Sequence, residues 1–315
     1  MWKFIVRRTA TALLVLVGVS ILTYALMFFT PGDPATTILR KQMGGRTPSS
    51  MAVQQFRVQH GLNDPIPIQY VNWVWDILHG NLRQSYYENT PVSAMIMNRV
   101  WPTLELAVAA MAVSLAISLP AGVFSAVHKG KMPDYLSQFA ALLGVSMPNF
   151  WLGYLLIIVF SLELGVLPVS GVGSFERLIL PAVTLGTGMA AIVTRLVRSS
   201  MLEVLDDEYI RTARAKGLRE RIVVYKHALR NALIPVVTIV GLQFGYLLNG
   251  AVVVEIVFQR PGLGSLLINA IFARDYPVVQ GLVLLIAAIF VLTNFAVDIV
   301  YRYIDPRISF EGASA

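Results

Sequence analysis

The sequence predicts an all-α integral membrane protein with six transmembrane helices and both termini in the cytoplasm. Of its 315 residues, 56% are apolar and only 14% are charged, and the mean hydropathy is +0.65. A soluble domain is about 45–50% apolar and about 25% charged. The interior of a soluble body this size is too small for so many apolar side chains, so a lipid bilayer is the expected solvent. The formal charge is +7, but a basic nucleic-acid-binding protein would be less apolar, and no nucleic-acid partner is expected.

Six apolar segments are long enough to cross a bilayer, which takes about 20 helical residues. Thr9–Phe29 carries no charged residue and is the clearest of them. A proline kink is expected to break the third within residues 146–149, and the fourth, which contains Pro181 and Arg195, is the weakest. The six predicted spans are Thr9–Phe29, Thr103–Val127, Ser137–Leu164, Leu178–Val197, Ala232–Phe258 and Val278–Tyr301.

Lysine and arginine residues set the predicted orientation, because cytoplasmic loops carry an excess of both. With six spans, the segments on the same side as the N-terminus are residues 1–8, 128–136, 195–231 and 302–315. They hold 16 of the 25 basic residues. Six of the other nine basic residues lie in one long loop, and the rule applies only to short loops. Both termini are therefore predicted to be cytoplasmic.

Residues 30–102 form the one sizeable block on the predicted outer side. A block of 73 residues is long for a structureless loop, so a small folded cap is expected. Its Trp73 and Trp75 either pack inside this cap or contact a partner protein. The predicted organisation is the N-terminus with the first span (1–29), the cap (30–102), a transmembrane core (103–302) and a cytoplasmic tail (303–315).

The cytoplasmic segment 203–231 is predicted to contain a short amphipathic helix between the fourth and fifth spans. Leu205, Tyr209 and Ala213 recur at i, i+4 and i+8, which places them on one helix face. Acidic residues in the first turn and basic residues in the last match the helix macrodipole. Gly217 follows where a left-handed residue ends a helix. This periodicity leaves three roles open: docking on a partner, lying on anionic lipid, or connecting two spans. The basic residues near the end of the helix are Arg211, Arg214 and Lys216.

Polar residues within the spans are candidates for lining a translocation pathway. Most acidic residues lie near helix ends, where snorkelling or structural pairing explains them as well as substrate contact does. We retain Glu255 as a candidate, with Gln243 and Asn249 deeper in the fifth span. Hydrogen bonds between helices explain the two amides equally well.

No catalytic or metal site is predicted. The chain has no cysteine, and its four histidines are dispersed. It contains neither an H-E-x-x-H motif nor the G-x-x-x-x-G-K-[ST] phosphate loop. This chain is therefore not expected to be an enzyme or to carry a cofactor.

Two stretches of the cytoplasmic segment, Tyr209–Gly217 (YIRTARAKG) and His227–Pro235 (HALRNALIP), resemble the coupling-helix region of ABC importer permeases. The pattern is most similar to the dipeptide/oligopeptide/nickel permease family, and matching stretches run along nearly the whole chain. The general permease signature has Glu-Ala-Ala where this chain has Arg211-Thr212-Ala213, a variant typical of this subfamily. The other matching stretches are Pro31–Pro34, Pro102–Leu106, Gly144–Pro148, Leu180–Ala182, Pro261–Gly264 and Arg274–Val278.

The resemblance implies a type I ABC importer permease fold in the bacterial cytoplasmic (inner) membrane. It also implies a heterodimer with a second homologous permease subunit, two cytoplasmic ATPase subunits that bind ATP and Mg, and an extracytoplasmic substrate-binding protein. The helix Leu205–Lys216 with Gly217 is then expected to dock on an ATPase subunit, and Trp73 and Trp75 are candidates for binding-protein contact.

The substrate class implied by the resemblance is di- or oligopeptides or related peptide-like ligands. A nickel-chelate or glutathione importer permease of the same family is the alternative. An ion-coupled secondary transporter is the alternative from another class. Such a transporter predicts inverted repeats and a midplane carboxylate, and neither is apparent in the sequence.

Overall fold

A computed structural model describes the backbone of residues 2–29 and 32–304, and the side chains of residues 6–25, 32–247 and 251–296. Within these ranges the regular structure is helical, apart from one isolated β-bridge between Gln84 and Pro91. The helices are α1 (Trp2–Phe29), α2 (Pro34–Gln42), α3 (Ser50–Gln59), α4 (Ile66–Leu78), α5 (Val92–Val127), α6 (Met132–Ser146), α7 (Asn149–Leu156), α8 (Glu176–Leu205), α9 (Glu208–Ala215), α10 (Glu220–Ile222), α11 (Leu229–Val257), α12 (Leu263–Ala273) and α13 (Tyr276–Ile304). Two π-helical segments, Ile157–Glu163 and Val223–Ala228, continue α7 and precede α11.

Five helical stretches in the described part of the chain are long and apolar enough to cross a membrane, and a bent pair of helices makes a sixth. The five are Val6–Ala25, Val92–Val127, Glu176–Leu205, Glu220–Leu247 and Tyr276–Ala296. The prediction of an all-α membrane protein with six spans is confirmed when the bent pair counts as one span. The second span differs from its predicted bounds, since α5 begins at Val92 rather than at Thr103.

The third predicted span is broken at the expected place. Met132–Ser146 and Asn149–Glu163 meet at an angle of 105°. Met147 has the extended conformation (φ −82°, ψ 122°) that a residue before proline favours, and Pro148 starts the next helix from its N-cap position. Proline has no N–H to donate to the preceding turn, so the helix ends there.

The fourth span, predicted to be the weakest, is a continuous helix of 30 residues, and 67% of its apolar stretch is buried. Pro181 lies within the second turn of α8 and cannot donate to the carbonyl oxygen of Arg177, which accepts from Arg260 Nη1 instead (3.4 Å). Gly186 lets the helix approach α5 closely, because a Cβ built there would be 2.6 Å from the carbonyl oxygen of Ala110. Gly186 therefore serves close packing of α8 against α5.

The first compact unit contains the described residues of Met1–Trp101 and Gly262–Val291. The turn between α12 and α13 is anchored by the buried carboxylate of Asp275, which accepts hydrogen bonds from the Ser85 hydroxyl and from the Tyr86 N–H (3.0 Å). Lys41 of α2 donates to the carbonyl oxygen of Phe272 (2.9 Å). Segments far apart in sequence are thus tied to the end of α12.

The second compact unit contains the described residues of Pro102–Pro261 and Leu292–Ala315. Its core is a cluster of buried aliphatic side chains from α5, α8, α9 and α11 and from the π-helical segment before α11. Ile210 of α9 belongs to this cluster and is fully buried. The short helix α9 is therefore packed against the spans that flank it.

Candidate functional site

The short helix of the predicted coupling region is α9, Glu208–Ala215, and its bounds correct the sequence prediction. Leu205 is the last residue of α8, not the first of a helix that continues to Lys216. Asp207 interrupts the two helices with an extended backbone (φ −64°, ψ 147°) at the N-cap position of α9. Its side chain makes no capping hydrogen bond, so the extended backbone at this position is what separates the two helices. Leu205, Tyr209 and Ala213 consequently do not form one helix face.

The buried face of α9 consists of Ile210 and Ala213 instead. Both belong to a cluster that also includes Val223, Val224 and Ala228. Tyr209, one helical turn before Ala213, lies at the edge of this buried face with 40% of its surface exposed. Ile210 and Ala213 thus hold α9 in place, and Tyr209 is partly open to a partner.

The Tyr209 hydroxyl joins the two halves of the coupling region. It accepts a hydrogen bond from the Asn231 side-chain amide at 2.7 Å and lies 3.5 Å from the carbonyl oxygen of His227. These residues come from the two separate stretches that carry the family resemblance. The contact fixes the orientation of the tyrosine ring at the surface.

Gly217 ends α9 in the conformation that the sequence predicts. Its φ is +75°, and no described atom beyond its chain neighbours lies within 4 Å of a Cβ built on it. The Gly217 N–H donates to the carbonyl oxygen of Arg214 (2.9 Å), and the Leu218 N–H donates to that of Ala213 (3.4 Å). This pair of bonds is the Schellman arrangement, in which glycine is preferred because the position is left-handed.

An ion pair spans this turn. The Arg214 guanidinium donates to the Glu220 carboxylate through Nη2 (2.8 Å) and Nε (3.2 Å). The bond to Glu220 raises the pKa of Arg214 above its ordinary value. Both side chains are exposed, so the pair contributes no more than about 1 kcal/mol, although its two-bond geometry fixes the direction of the turn. The other predicted basic residues, Arg211 and Lys216, are exposed.

A buried carboxylate that the sequence analysis missed holds the end of α8 that leads to α9. Asp134, near the start of α6, accepts two hydrogen bonds from Arg198 of α8, at Nε (2.7 Å) and Nη2 (2.8 Å). It also accepts from the Ser125 hydroxyl (2.6 Å) and the Gly130 N–H (3.0 Å). The Asp134 side chain is only 2% exposed. Its lone pairs are therefore satisfied by the protein, as a buried charge requires.

The three candidate pathway residues have different surroundings. Gln243 is half-buried on α11, and the side chain of Asn249 lies outside the described residues. Glu255 is fully buried and accepts a hydrogen bond from the Thr103 hydroxyl at 2.6 Å. This contact favours the structural pairing that the sequence analysis left open for Glu255.

The two tryptophans of the predicted cap also differ. Trp73 is 2% exposed and packs against Tyr24, with 5.3 Å between ring centroids. Trp73 is therefore internal and presents no surface to a partner. Trp75 is 63% exposed and contacts only the ring of His79 among the aromatic neighbours described.

Among the described residues no group of three or more histidine, cysteine, aspartate or glutamate side chains is arranged to hold a metal ion. The features of this region suit the transmission of movement and not chemical catalysis. A short helix is rigidly seated on two spans, it exposes one aromatic side chain and several cations, and buried contacts fix its attachment. A rigid element of this kind can pass a rigid-body movement to the spans attached to it.

Six candidate spans, with a short helix between the fourth and fifth, define an integral membrane protein. The chain belongs to the family of binding-protein-dependent transport system inner membrane components, whose model matches residues 118–310, and the model of the family's N-terminal region matches residues 1–107. It is therefore a permease subunit of an ABC importer in the inner membrane and not an enzyme. Family membership excludes the ion-coupled secondary transporter.

Relatives and solved structures agree with this assignment. The chain is 42% identical over 311 residues to the glutathione transport system permease protein GsiC of Escherichia coli O6:H1, which covers 99% of this chain and 100% of that protein. It is also 42% identical over 342 residues to the dipeptide transport system permease protein DppB of Alkalihalophilus pseudofirmus (98% and 100%). An inward-facing structure of the MetNI methionine ABC transporter matches 67% of this chain and 96% of its own, with 23% identity and a TM-score of 0.57. That match shows the fold that the resemblance predicts.

Proposed function

We propose that this chain forms half of the translocation pathway for small peptides or related peptide-like ligands. The observation that carries the proposal is full-length similarity, at the same identity, to one permease named for dipeptides and one named for glutathione. Both named substrates are short chains with amide bonds and terminal charges. Glutathione itself is the second candidate substrate, because a relative named for it matches this chain over 99% of its length.

The working transporter that we propose has five subunits. A second homologous permease completes the pathway as a heterodimer, and two cytoplasmic ATPase subunits bind ATP and Mg and hydrolyse ATP. A substrate-binding protein delivers the ligand on the outer side. The predicted orientation supports this arrangement, since it places most of the lysines and arginines on the side of the two termini and of α9.

The experiment that tests the substrate class is uptake into proteoliposomes that contain the assembled transporter. We expect labelled dipeptide or glutathione to accumulate only with ATP inside and binding protein outside. Accumulation should stop when the ATPase subunits carry a substitution that blocks hydrolysis. Uptake of neither compound, by a transporter that still hydrolyses ATP in response to another ligand, would contradict the peptide assignment.

We expect Gly217→Val to uncouple ATP hydrolysis from uptake while the permease still enters the membrane. A side chain at a left-handed position costs about 1–2 kcal/mol, and no described atom blocks the new Cβ. The strain therefore acts on the backbone turn that orients α9 and leaves the packing of the spans unchanged. The measurement is uptake per ATP hydrolysed in proteoliposomes. The control is Ala215→Val, which adds the same side chain inside the helix, and equal coupling in the two variants would contradict the role of the turn.

We expect Tyr209→Ala to release the ATPase subunits. A large side chain buried at a contact contributes about 1.5–3 kcal/mol to binding. The affinity of the permease for the ATPase subunits should therefore fall by about tenfold or more. Co-purification of the ATPase subunits, in detergent without anionic lipid, measures the loss. Tyr209→Phe is the matched control, because it keeps the ring and removes only the hydroxyl that accepts from Asn231.

The alternative for α9 is attachment to anionic lipid. A lipid-bound helix should tolerate Tyr209→Ala but respond to the combined replacement of Arg211, Arg214 and Lys216 by glutamine. Undiminished recovery of the ATPase subunits with Tyr209→Ala would contradict the docking role.

A further inference from the structure

Helix α4 carries an apolar stripe that is uncovered within the described chain. Ile68, Val71, Trp75 and Leu78 follow one another at i, i+3, i+7 and i+10, so they lie on one face. Their exposed fractions are 50%, 61%, 63% and 75%. A continuous apolar face with these exposures marks a surface that something apolar covers.

The opposite face of α4 is fixed to the first span. The Tyr70 hydroxyl hydrogen-bonds the Ser20 hydroxyl (2.8 Å), and the Tyr24 hydroxyl donates to Gln69 Oε1 (3.3 Å). The Trp73 ring packs on Tyr24. These polar groups satisfy one another, as they must where water is scarce. α4 is thus held against residues 20–24 of α1.

The position of these contacts along α1 gives the depth of α4. Ser20 precedes the end of α1 at Phe29 by nine residues, or about 13 Å at 1.5 Å per residue. α4 therefore lies beside the last part of the apolar helix and not beyond it. The basic residues Arg7 and Arg8 mark the other end of the span.

The surface of α1 itself is apolar and exposed, as expected of a helix that faces lipid. The stripe on α4 is apolar and exposed as well, so the same medium is suited to cover both surfaces. Tryptophan is enriched at the boundary between headgroups and acyl chains. Five of the exposed side chains of α1 are Leu13, Leu14, Val17, Ile21 and Leu22.

We propose that α4 is an interfacial helix whose apolar stripe rests in the lipid leaflet remote from Arg7 and Arg8. Interfacial amphipathic helices lie parallel to the membrane surface, with their apolar face buried about 5–10 Å into the boundary between headgroups and acyl chains. The exposed Asn72 and His79 border the stripe on one side and face the headgroups. α4 would then set the depth of the first span and anchor the segment between α1 and α5.

This inference goes beyond the proposed function and does not depend on the substrate. It gives Trp75 a lipid contact instead of the binding-protein contact that the sequence suggests. A binding protein or the second permease covering the same face is the competing outcome of the test.

The test exploits the absence of cysteine from the chain. Single-cysteine variants carry a nitroxide label, and collisions with oxygen and with a water-soluble nickel complex are measured for the assembled transporter in nanodiscs. Trp75→Cys reports on the stripe. Leu14→Cys, on the exposed face of α1, is the lipid reference, and the exposed Glu88→Cys is the water reference.

We expect the label at Trp75→Cys to collide readily with oxygen and to lose nickel collisions relative to Glu88→Cys, as Leu14→Cys does. Nickel collisions equal to those of Glu88→Cys would overturn the proposal, because the face would be in water. Protection from both reagents would also overturn it, because a protein would then cover the stripe. Val71→Cys, on the same face, replaces Trp75→Cys if that variant does not assemble.

Discussion

Replacing Arg198 with methionine should sharply reduce the stability of the permease in detergent. The substitution leaves the Asp134 carboxylate, which is 2% exposed, without its cation. Removing one partner of a buried ion pair costs about 3–5 kcal/mol, a large part of the stability of most domains. The fraction of permease that survives heating, measured by size-exclusion chromatography, is the readout.

The control for this prediction is on the same helix. Arg195→Met removes an exposed guanidinium one turn earlier and should have little effect. Adding Asp134→Asn to Arg198→Met should restore part of the loss, because the uncompensated charge is removed. Equal survival of the Arg198→Met and Arg195→Met variants would show that the ion pair does not hold α6 to α8.

The second large effect is expected for Gly186→Ala. The new methyl group would lie 2.6 Å from the carbonyl oxygen of Ala110 and 3.2 Å from the Val113 side chain. A backbone atom cannot rotate away, so α5 and α8 must separate. Overpacking of this kind typically costs about 1–3 kcal/mol. We expect lower thermal survival and, because α8 leads to α9, weaker coupling of hydrolysis to uptake.

Gly188→Ala is the matched control for Gly186→Ala. It adds the same methyl group to the same helix, but the nearest described atom would be 3.9 Å away. We expect this variant to behave like the unchanged protein or slightly better, since alanine favours the helix by about 1 kcal/mol over glycine. Similar losses of thermal survival in both variants would indicate that the glycines supply backbone flexibility and not close approach of α8 to α5.

Features that depend on a few adjacent residues were predicted well from the sequence. The kink at Pro148 and the left-handed turn at Gly217 are local backbone properties, and both are present. The length of apolar segments likewise predicted the spans, because crossing a bilayer is a requirement on composition and length alone.

Features that depend on competing local signals were predicted less well. The predicted helix face through Leu205, Tyr209 and Ala213 is wrong because the extended backbone at Asp207 divides the periodic pattern between two helices. The spacing of apolar residues fits two helix faces, one through Tyr209 and one through Ile210. Burial of Ile210 against the neighbouring spans selects the second face. Periodicity over two turns does not contain that information.

Features that depend on distant residues were missed. Asp134 and Arg198 are 64 positions apart. From the sequence alone, Arg198 is only one of the basic residues that make its segment positively charged. The signal available in the sequence is an aspartate beside Pro133 at the start of an apolar helix and an arginine near the end of another. Neither residue indicates the other until the helices are packed.

The break at Pro148 has a consequence for how the chain enters the membrane. Met132–Ser146 and Asn149–Glu163 have 15 residues each, about 22 Å of helix, whereas the hydrocarbon layer is about 30 Å thick. Neither half crosses alone, so the two must be inserted as a unit.

Whether that unit crosses the bilayer sets the side on which every later segment emerges. If the bent pair is one span, four spans precede α9, and α9 is on the same side of the membrane as the basic N-terminus. If the bent pair does not cross, three spans precede α9, and α9 is on the opposite side from the N-terminus. Residues 195–231 hold nine lysines and arginines, which strongly favours the cytoplasmic side. The charge of the coupling region therefore favours the topology in which the bent pair of helices crosses the membrane as one span.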